Sequence, residues 1–193
     1  MKNLAVFISG SGSNLQSIID KWKSETVSYD IKLVFSNSSD AFGLTRAENN
    51  GIPTKILSHN NHNNREQYDR NIDQIMRDFQ IDFIALAGFM RLLSPWFVRK
   101  WSGRLLNIHP SLLPAFPGLH THQQALDYGV KYAGCSVFFV DEGVDTGSLI
   151  SQAVVPVLAG DNEEKLAARV LIEEHKIFPQ AIENVASGKI SLS

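Results

Sequence analysis

Residues 4–14 read Leu-Ala-Val-Phe-Ile-Ser-Gly-Ser-Gly-Ser-Asn, and this stretch sets the architecture of the whole chain. The unbroken apolar run from Leu4 to Ile8 is typical of a strand buried on both faces, as in a parallel sheet. A turn of glycine and serine follows it at once. Ser13 and Gln16 have the spacing of a capping box, which predicts a helix through about Trp22. Strand, turn and helix in this order predict the first unit of an α/β fold.

The same alternation continues along the chain. Short apolar runs predict six further strands, at residues 31–35, 54–57, 83–87, 105–109, 135–140 and 149–157. Helical periodicity predicts helices at residues 42–50 and 64–80 and a long last helix. We expect Asp161 and Glu164 to cap that last helix and Pro179 to kink or interrupt it. The pattern predicts one α/β domain over residues 1–193, with a mostly parallel central sheet flanked by helices.

Composition restricts the class of function. With 193 residues, 44% of them apolar, the chain has the size and core of one domain. The formal net charge is only -2 and the basic residues are scattered singly, so we expect no nucleic-acid partner. The run before Ser9 is too short for a signal peptide, and no apolar run approaches the ~18 residues of a membrane span. Together with a single cysteine, Cys135, these features predict a cytoplasmic protein without a membrane partner.

The turn from Gly10 to Asn14 predicts an anion site. Its small residues leave backbone N–H groups bare at the positive end of a helix, where a phosphate binds readily. A dinucleotide site would also need a glycine where Leu15 stands and an acidic residue at the end of the second strand, where the chain has Phe35-Ser36-Asn37. We therefore expect no nicotinamide cofactor, while a tight turn without any ligand stays open as the alternative.

A second motif, Asn107-Ile108-His109, ends a predicted strand. Because side chains alternate across a strand, Asn107 and His109 project from one face and Ile108 from the other. An amide donor beside a titratable base suits acyl transfer to an amine, which needs an oxyanion donor and a group that moves protons. The alternative is a histidine that is merely hydrogen-bonded within the core.

Asp145 stands in a bend between Gly143 and Gly147, after the strand predicted at 135–140. A carboxylate placed beside His109 would orient the imidazole and stabilise its protonated form. The alternative is an ordinary turn aspartate that bonds to its own backbone. The sequence thus offers Asp145 as a third member of the candidate site.

Other tempting residues are discounted. His120 and His122, with His59 and His62 elsewhere, lack a third ligand at a recognisable spacing, so we expect no metal site. Cys135 lies within a strand pattern and is interpreted as a buried residue, not a nucleophile. The proline-rich segment 110–121 is expected to be a loop with few residues that anchor it in the core, and therefore a mobile one.

Five motifs taken together resemble the folate-dependent glycinamide ribonucleotide transformylases. They are Ser9-Gly10-Ser11-Gly12-Ser13-Asn14, Leu86-Ala87-Gly88-Phe89-Met90-Arg91, Asn107-Ile108-His109-Pro110-Ser111-Leu112-Leu113-Pro114, Pro117-Gly118-Leu119-His120-Thr121-His122 and Val144-Asp145-Thr146-Gly147. The likeness extends from the first strand to the last helix. It implies a single-domain, Rossmann-like formyltransferase fold. Methionyl-tRNA formyltransferases and formyltetrahydrofolate hydrolases are similar but carry an additional domain, for which the chain is too short.

The resemblance implies a role for each matching position. Asn107, His109 and Asp145 correspond to the catalytic residues of the family. The residues implied to bind the phosphorylated acceptor are Gly12, Ser13, Asn14 and Glu174. Those implied to bind the folate are Arg65, Met90, Arg91, Leu92, Leu93, Asn107, Asp141, Glu142, Gly143 and Val144. The N-terminal part of the domain would thus bind the acceptor, and the C-terminal part would complete the folate cleft and the catalytic site.

The implied reaction moves the formyl group of 10-formyltetrahydrofolate, a cosubstrate, to the amine of phosphoribosylglycinamide, a step of purine biosynthesis. Neither metal nor ATP is expected, and the resemblance leaves a monomer or a homodimer open. Another folate-dependent formyltransferase or hydrolase is the nearest alternative. A nucleotide-binding α/β module, supported by the first glycine turn alone, is the alternative from a different class.

Overall fold

A computed structural model describes residues 1–58 and 64–192, and within this part the chain forms seven strands and six helices. The strands are β1 Lys2–Ile8, β2 Tyr29–Ser36, β3 Thr54–Ile56, β4 Phe83–Leu86, β5 Leu105–His109, β6 Tyr132–Phe139 and β7 Leu149–Pro156. The helices are α1 Ser13–Ser24, α2 Phe42–Asn49, α3 Arg65–Asp78, α4 Pro95–Lys100, α5 Thr121–Tyr128 and α6 Glu163–Ala186. Every strand predicted from the sequence is confirmed, with bounds that shift by up to three residues.

All seven strands join one sheet in the order β3-β2-β1-β4-β5-β6-β7. The first five strands in this order are parallel, and β6 and β7 pair antiparallel. The chain therefore builds the sheet outward from β1 in one direction and then returns to add β4 on the other side. This reversal between β1 and β4 opens a crevice at the carboxyl ends of the strands, the usual ligand position in such folds. The predicted fold class, a mostly parallel sheet flanked by helices, is confirmed.

The alternation of side chains in β1 divides the core into two layers. Leu4, Val6 and Ile8 are fully buried in the layer that also holds apolar residues of α1, α2 and α6. Ala5 and Phe7 face the other layer, which is completed by α3 and α4. Because both faces of β1 are covered, its unbroken apolar run is explained by the fold.

Two helix caps differ from the sequence prediction. The cap of α1 is Gly12, in the left-handed conformation, and within the described chain no side chain caps this helix. The predicted capping box of Ser13 and Gln16 is therefore wrong. The cap of α6 is Asn162, whose side chain accepts a hydrogen bond from the Lys165 N–H. Asp161, predicted for that role, forms an ion pair with Arg169 at 2.7 Å instead.

Two short helices were not predicted. Helix α4 begins after Ser94, which accepts the Phe97 N–H as the cap, with Pro95 at the first helical position. This pair is a recognisable start signal. Helix α5 begins at Thr121, the last residue of the predicted 110–121 loop. Conversely, α6 continues through Pro179 without interruption. Within residues 1–58 and 64–192, no helix combines the length and apolar character needed to cross a membrane.

The backbone conformation of Gly12 and its close contact with Gly43 both require glycine at position 12. Its φ is 70°, and a Cβ atom there would lie 2.6 Å from the Cα of Gly43. Gly12→Ala should therefore lower the free energy of unfolding by about 3 kcal/mol, the sum of left-handed strain and a backbone clash. Urea unfolding measures this change.

Gly51→Ala is the matched control. Gly51 has a similar φ of +69°, but a Cβ atom there would meet no described heavy atom within 4 Å. This variant should lose only about 1 kcal/mol, the cost of the backbone conformation. Equal losses in the two variants would show that the close approach of Gly12 to Gly43 does not constrain the turn.

Candidate active site

The candidate site lies in the crevice at the β1–β4 reversal. The turn of residues 9–12 follows β1, residues 87–94 follow β4, and Asn107 and His109 lie in the last three residues of β5. The hydroxyl of Ser9 accepts a hydrogen bond from the Met90 N–H at 2.8 Å, which joins the first two segments. Three strands that are neighbours in the sheet but distant in sequence thus present the predicted motifs at one edge.

The turn before α1 forms a cradle of backbone groups. Gly12 and Ser13 stand at the amino end of a helix of twelve residues, where free N–H groups and the helix dipole favour an anion. Arg46 of α2 lies against the same turn and donates to the Ser11 carbonyl at 2.9 Å. Arg46 was not predicted from the sequence, because no motif marks it and only the packing of α2 against the turn brings it there.

Asn14 and Glu174 meet across 160 residues of sequence. The Asn14 side-chain amide donates to Glu174 Oε2 at 2.7 Å, and both side chains are buried. Burial raises the pKa of Glu174, an effect that the Asn14 bond and the nearby His109 oppose. The Oδ1 atom of Asn14 is buried with no hydrogen-bond partner in the described chain. An unsatisfied buried acceptor beside a carboxylate can receive donors from a bound molecule.

His109 is buried, and both of its ring nitrogens have an acceptor nearby. Nδ1 lies 3.5 Å from Asp145 Oδ2, and Nε2 lies 3.1 Å from the Phe116 carbonyl oxygen. Because a carboxylate and a carbonyl can only accept, the protonated imidazolium is the form that can donate to both. The His109–Asp145 pairing predicted from the sequence is thus present, with a separation too long for a strong hydrogen bond.

Asp145 reaches His109 because the segment after β6 turns back along β5. Phe139, the last residue of β6, pairs with Leu106 of β5. The bend that follows β6 then brings Asp145 beside His109. Asp145 has a φ of 55°, and its Oδ2 also accepts the Gly118 N–H at 2.8 Å. The Asp145 carboxylate therefore links the 110–121 segment to His109, the candidate catalytic histidine.

Asn107 shares its strand with His109, two residues away. It is half-buried, while Ile108 between them is packed in the core, as the alternation predicts. Within residues 1–58 and 64–192, the Asn107 side chain makes no hydrogen bond to the protein. Its amide is therefore available to a ligand at the strand end.

The segment after β4 presents apolar side chains to solvent. Met90 and Leu92 are 73% and 58% exposed, whereas Leu93 packs against the core layer of α3 and α4. Arg91 lies over the Tyr68 ring at 4.2 Å, and its buried Nε has no partner among the described residues. Large exposed apolar side chains beside an unsatisfied donor are typical of a ligand surface.

The remaining predicted folate residues surround this segment. Asp141 accepts from the Gly143 N–H and from Thr146, which shapes the bend. Glu142 forms an ion pair with Arg99 at 2.9 Å, and Val144 is 51% exposed. These contacts tie the bend to α4, which directly follows residues 90–93.

Arg65 lies at the other end of the segment. It is exposed at the start of α3 and lines a wide cleft of about 660 Å³ together with Arg70, Ser94 and Pro95. Ser94 and Pro95 come directly after Leu93, so the cleft adjoins the predicted folate segment. The structure thus places Arg65 near that segment but not in the group around His109.

The 110–121 segment is better anchored than the sequence suggests. Ser111, Leu113 and Thr121 are buried. The buried Ser136 hydroxyl donates to the Ser111 carbonyl and accepts the Leu113 N–H, and Gln152 donates to Ser136. The expectation of a segment with few anchors is therefore wrong, because the anchors come from β6 and β7 and carry no local signal. Its predicted mobility stays a prediction.

The histidines considered as metal ligands lie partly within the described residues. Among residues 1–58 and 64–192, no group of three or more His, Cys, Asp or Glu side chains could hold a metal ion. His59 and His62 lie outside the described residues. Burial raises the pKa of the Cys135 thiol to about 12, which agrees with the interpretation of this residue as a structural one.

Glu174→Gln should change how stability depends on pH. Burial raises the pKa of Glu174 in the folded protein above its unfolded-state pKa of about 4.3. The protonated side chain therefore stabilises the fold fully below the unfolded-state pKa, and this stabilisation is lost as pH rises through the folded-state pKa. Glutamine keeps an oxygen for Asn14 but cannot ionise. The free energy of unfolding of wild type, minus that of Glu174→Gln, should therefore fall as pH rises from about 4 to 7. Urea unfolding over this range measures it.

Glu173→Gln is the matched control, since Glu173 is one residue away and pairs with Lys176 on the outer side of α6. This variant should keep the pH dependence of wild type. If the free energies of unfolding of wild type and Glu174→Gln differed by the same amount at every pH, burial would not disfavour ionisation of Glu174.

Comparison with known proteins assigns the chain to one family. The model of the formyl transferase family matches residues 2–182. Because the match spans almost the whole chain, the protein belongs to the formyl transferase family.

Three individual relatives within this family resemble the chain in sequence or structure. The chain is 50% identical over 190 residues to the phosphoribosylglycinamide formyltransferase of Escherichia coli (strain K12), covering 98% of this chain and 90% of that protein. It is also 50% identical over 189 residues to the human trifunctional purine biosynthetic protein adenosine-3, of which it spans only 19%. Glycinamide ribonucleotide transformylase 1 of Symbiobacterium toebii superimposes with a TM-score of 0.97 at 43% identity, over 100% of this chain and 91% of that one.

Proposed function

We propose that the chain transfers the formyl group of 10-formyltetrahydrofolate to the amine of phosphoribosylglycinamide, giving formylglycinamide ribonucleotide and tetrahydrofolate in purine biosynthesis. The observation that carries the proposal is the position of His109. Its ring lies 3.5 Å from Asp145, on the strand that bears Asn107, and this strand pairs with β4, which leads into the apolar segment of Met90 and Leu92. The names of the relatives support the same substrates.

The acceptor is assigned to the β1 side of the crevice. Its phosphate would accept hydrogen bonds from the backbone N–H groups of Gly12, Ser13 and Asn14, with the Arg46 guanidinium supplying further positive charge. Glu174 and the free Oδ1 of Asn14 are acceptors suited to the hydroxyl groups of the ribose or to the glycinamide N–H groups. The N-terminal turn thus holds the phosphate, Glu174 of the last helix binds the other end of the acceptor, and the amine points toward His109.

The folate is assigned to the segments after β4 and β6. Exposed apolar side chains of Met90, Leu92 and Val144 suit an aromatic pteridine, and the unsatisfied Arg91 Nε is a donor for a ring heteroatom. The other residues of this surface are Leu93, Asp141, Glu142 and Gly143, with Asn107 at its inner end. Arg65, in the neighbouring cleft, is placed to attract the carboxylates of the folate tail.

Transfer is direct in this proposal. The acceptor amine attacks the formyl carbon, a C–N bond forms, and the carbonyl electron pair moves onto oxygen. Asn107 and protonated His109 donate hydrogen bonds to this oxyanion, and Asp145 stabilises the imidazolium. When the intermediate collapses, the bond from carbon to N10 of the folate breaks. The proton lost by the attacking nitrogen passes through His109 or a water to N10, which leaves as tetrahydrofolate.

His109 must exchange one partner for this reaction. Its Nε2 lies 3.1 Å from the Phe116 carbonyl, so this nitrogen has to leave Phe116 before it can donate to a formyl oxygen. We propose that substrate binding causes this exchange of partners.

We also propose that the enzyme is cytoplasmic and acts as a monomer or homodimer. The proposed reaction uses neither metal nor ATP.

A formyl-transfer assay tests the function. Purified protein is mixed with phosphoribosylglycinamide and 10-formyltetrahydrofolate, and formation of the folate product is followed by absorbance. Turnover that requires both substrates is expected. Formation of tetrahydrofolate without the acceptor would instead indicate a hydrolase. Thermal stabilisation by dinucleotides and not by folates would favour the nucleotide-binding module.

Asp145→Asn should lower kcat by about 10²-fold in a protein that remains folded, because the imidazolium loses its neighbouring negative charge. Asparagine keeps an oxygen for the Gly118 N–H, so the bend should survive. Asp127→Asn, at an exposed position in α5, is the control and should turn over like wild type. Steady-state kinetics with saturating substrates provide the measurement. Wild-type kcat in folded Asp145→Asn would remove this carboxylate from the mechanism.

A further inference from the structure

Helix α3 buries two carboxylates that have different partners. Asp69 and Asp73 lie one turn apart, and both side chains are fully buried. Asp73 forms ion pairs with Lys100 at 2.7 Å and with Arg77 at 3.2 Å, and it accepts the Trp101 Nε1–H at 3.1 Å. These contacts hold α3 against the far end of α4, so the fold itself accounts for Asp73.

Asp69 instead contacts the segment that follows β4. Its Oδ2 atom accepts a hydrogen bond from the Ser94 N–H, whereas its Oδ1 atom is buried with no hydrogen-bond partner among the described residues. Burial raises the pKa of Asp69, and the bonds to Ser94 and the charges of Arg91 and Arg65 oppose this rise. The ionised carboxylate is therefore stabilised by the end of this segment and by two arginines of the proposed folate surface.

The core alone does not account for a carboxylate at position 69. A buried carboxylate with one oxygen unpaired destabilises the fold, whereas the neighbouring Tyr68 and Ile72 pack in the apolar layer of α3 and α4. Arg91 lies over the Tyr68 ring at 4.2 Å, and Arg65 is one helical turn before Asp69. The unfavourable burial thus places a negative charge beside two cations of the proposed folate surface.

Residues 90–94 are fixed at both ends by hydrogen bonds to their backbone. The Met90 N–H donates to the Ser9 hydroxyl at 2.8 Å, and the Ser94 N–H donates to Asp69. The intervening residues are those assigned to the folate. A surface that is ordered before its ligand arrives loses less conformational entropy on binding.

We propose that Asp69 is a positioning residue for the folate, whose carboxylate fixes the end of the 90–94 segment through the Ser94 N–H and holds the Arg91 guanidinium by its charge. This inference rests on the proposed function, because it concerns the folate surface defined there. Asp69 acts through these two residues and does not touch the folate itself.

Calorimetric titration of the full chain with tetrahydrofolate, the reaction product, tests this role without turnover. Asp69→Asn keeps the size of the side chain and removes its charge. The Kd for tetrahydrofolate should rise about five- to tenfold, the difference between a hydrogen bond to a charged acceptor and one to a neutral acceptor. The Kd for phosphoribosylglycinamide should not change. In steady-state kinetics the effect should lie in the KM for the formyl-folate and not in kcat.

Asp73→Asn is the matched control, since it removes an equally buried charge from the same helix. It should lower the free energy of unfolding but bind tetrahydrofolate like wild type. Equal weakening of tetrahydrofolate by Asp69→Asn and Asp73→Asn would overturn the inference, because the effect would then be a general one of loosening α3.

A second pair of variants tests the hydrogen bond from its other side and does not alter the carboxylate. Ser94 has a φ of -71°, which suits proline. Ser94→Pro and Ser94→Ala both lose the hydroxyl, but only Ser94→Pro loses the N–H, so the difference between them reports the N–H alone. Ser94→Pro should bind tetrahydrofolate about five- to tenfold more weakly than Ser94→Ala.

The titrations separate failure of this inference from failure of the proposed function. If wild type did not bind tetrahydrofolate, the proposed function would be contradicted, and this inference with it. If wild type bound tetrahydrofolate and Asp69→Asn bound it equally well, or if Ser94→Pro matched Ser94→Ala, only the role of Asp69 would be overturned.

Discussion

Replacing His109 by alanine should lower kcat by about 10² to 10⁴, the usual range for loss of a positioned proton carrier. The imidazole nitrogens lie near Asp145 and the Phe116 carbonyl, and neither of these residues belongs to the proposed folate surface. The Kd for the folate should therefore remain close to that of wild type. Single-turnover kinetics measure the chemical step, and a folate titration by calorimetry measures binding.

His120→Ala is the comparison variant, since His120 is an exposed histidine just before α5. It should retain most of the wild-type kcat. Unchanged turnover in a folded His109→Ala protein would show that another group moves the proton, and His120 would be the first to test. Loss of folate binding together with kcat would instead assign His109 to the folate surface.

Asn107→Ala should lower kcat by about 10² to 10³, equivalent to about 3 to 4 kcal/mol of transition-state stabilisation. Among residues 1–58 and 64–192 the side-chain amide has no hydrogen-bond partner, so its proposed role lies with the oxyanion. Removing it should affect kcat more than KM, because the interaction forms only in the transition state. Steady-state kinetics over a range of both substrates separate the two parameters.

Asn49→Ala, at an exposed position in α2, controls for a general effect of losing an amide. A large increase in KM with kcat retained would assign Asn107 to substrate binding alone. If neither parameter changed in a folded protein, Asn107 would have no part in the reaction.

The fold was predictable where a local pattern reports a local cause. Apolar runs separated by helical periods located the seven strands of the described chain. The signal is plainest for β1 and β4, because a strand covered on both faces needs apolar residues at every position. The same reasoning placed Asn107 and His109 on one strand face. It also predicted the helix at 64–80, which begins in the structure after its cap, Asn64.

Features that depend on distant packing were not predictable from one sequence. Arg46 reaches the anion cradle because α2 packs against the turn before α1. Ser136 and Gln152 anchor the 110–121 segment from two other strands. In each case the residue type is ordinary and its spacing carries no signal, so the contact becomes visible only when the sheet order is known.

Caps and bends were the least secure predictions, because several residues compete for one position. Asp161 and Asn162 are both good caps, and the ion pair of Asp161 with Arg169 leaves the role to Asn162. Gly12 takes the cap of α1 because its left-handed backbone and contact with Gly43 decide the geometry there. These choices are made by tertiary contacts that sequence spacing does not encode.

Direct transfer can be tested by following the formyl carbon itself. Folate carrying an isotopically labelled formyl group is mixed with the enzyme and phosphoribosylglycinamide, and the reaction is quenched during a single turnover. We expect the label to pass from N10 of the folate to the acceptor amine without residing on the protein, and His109→Ala to slow this transfer by about 10² to 10⁴. Label recovered as a protein adduct or as free formate would contradict direct transfer to the acceptor.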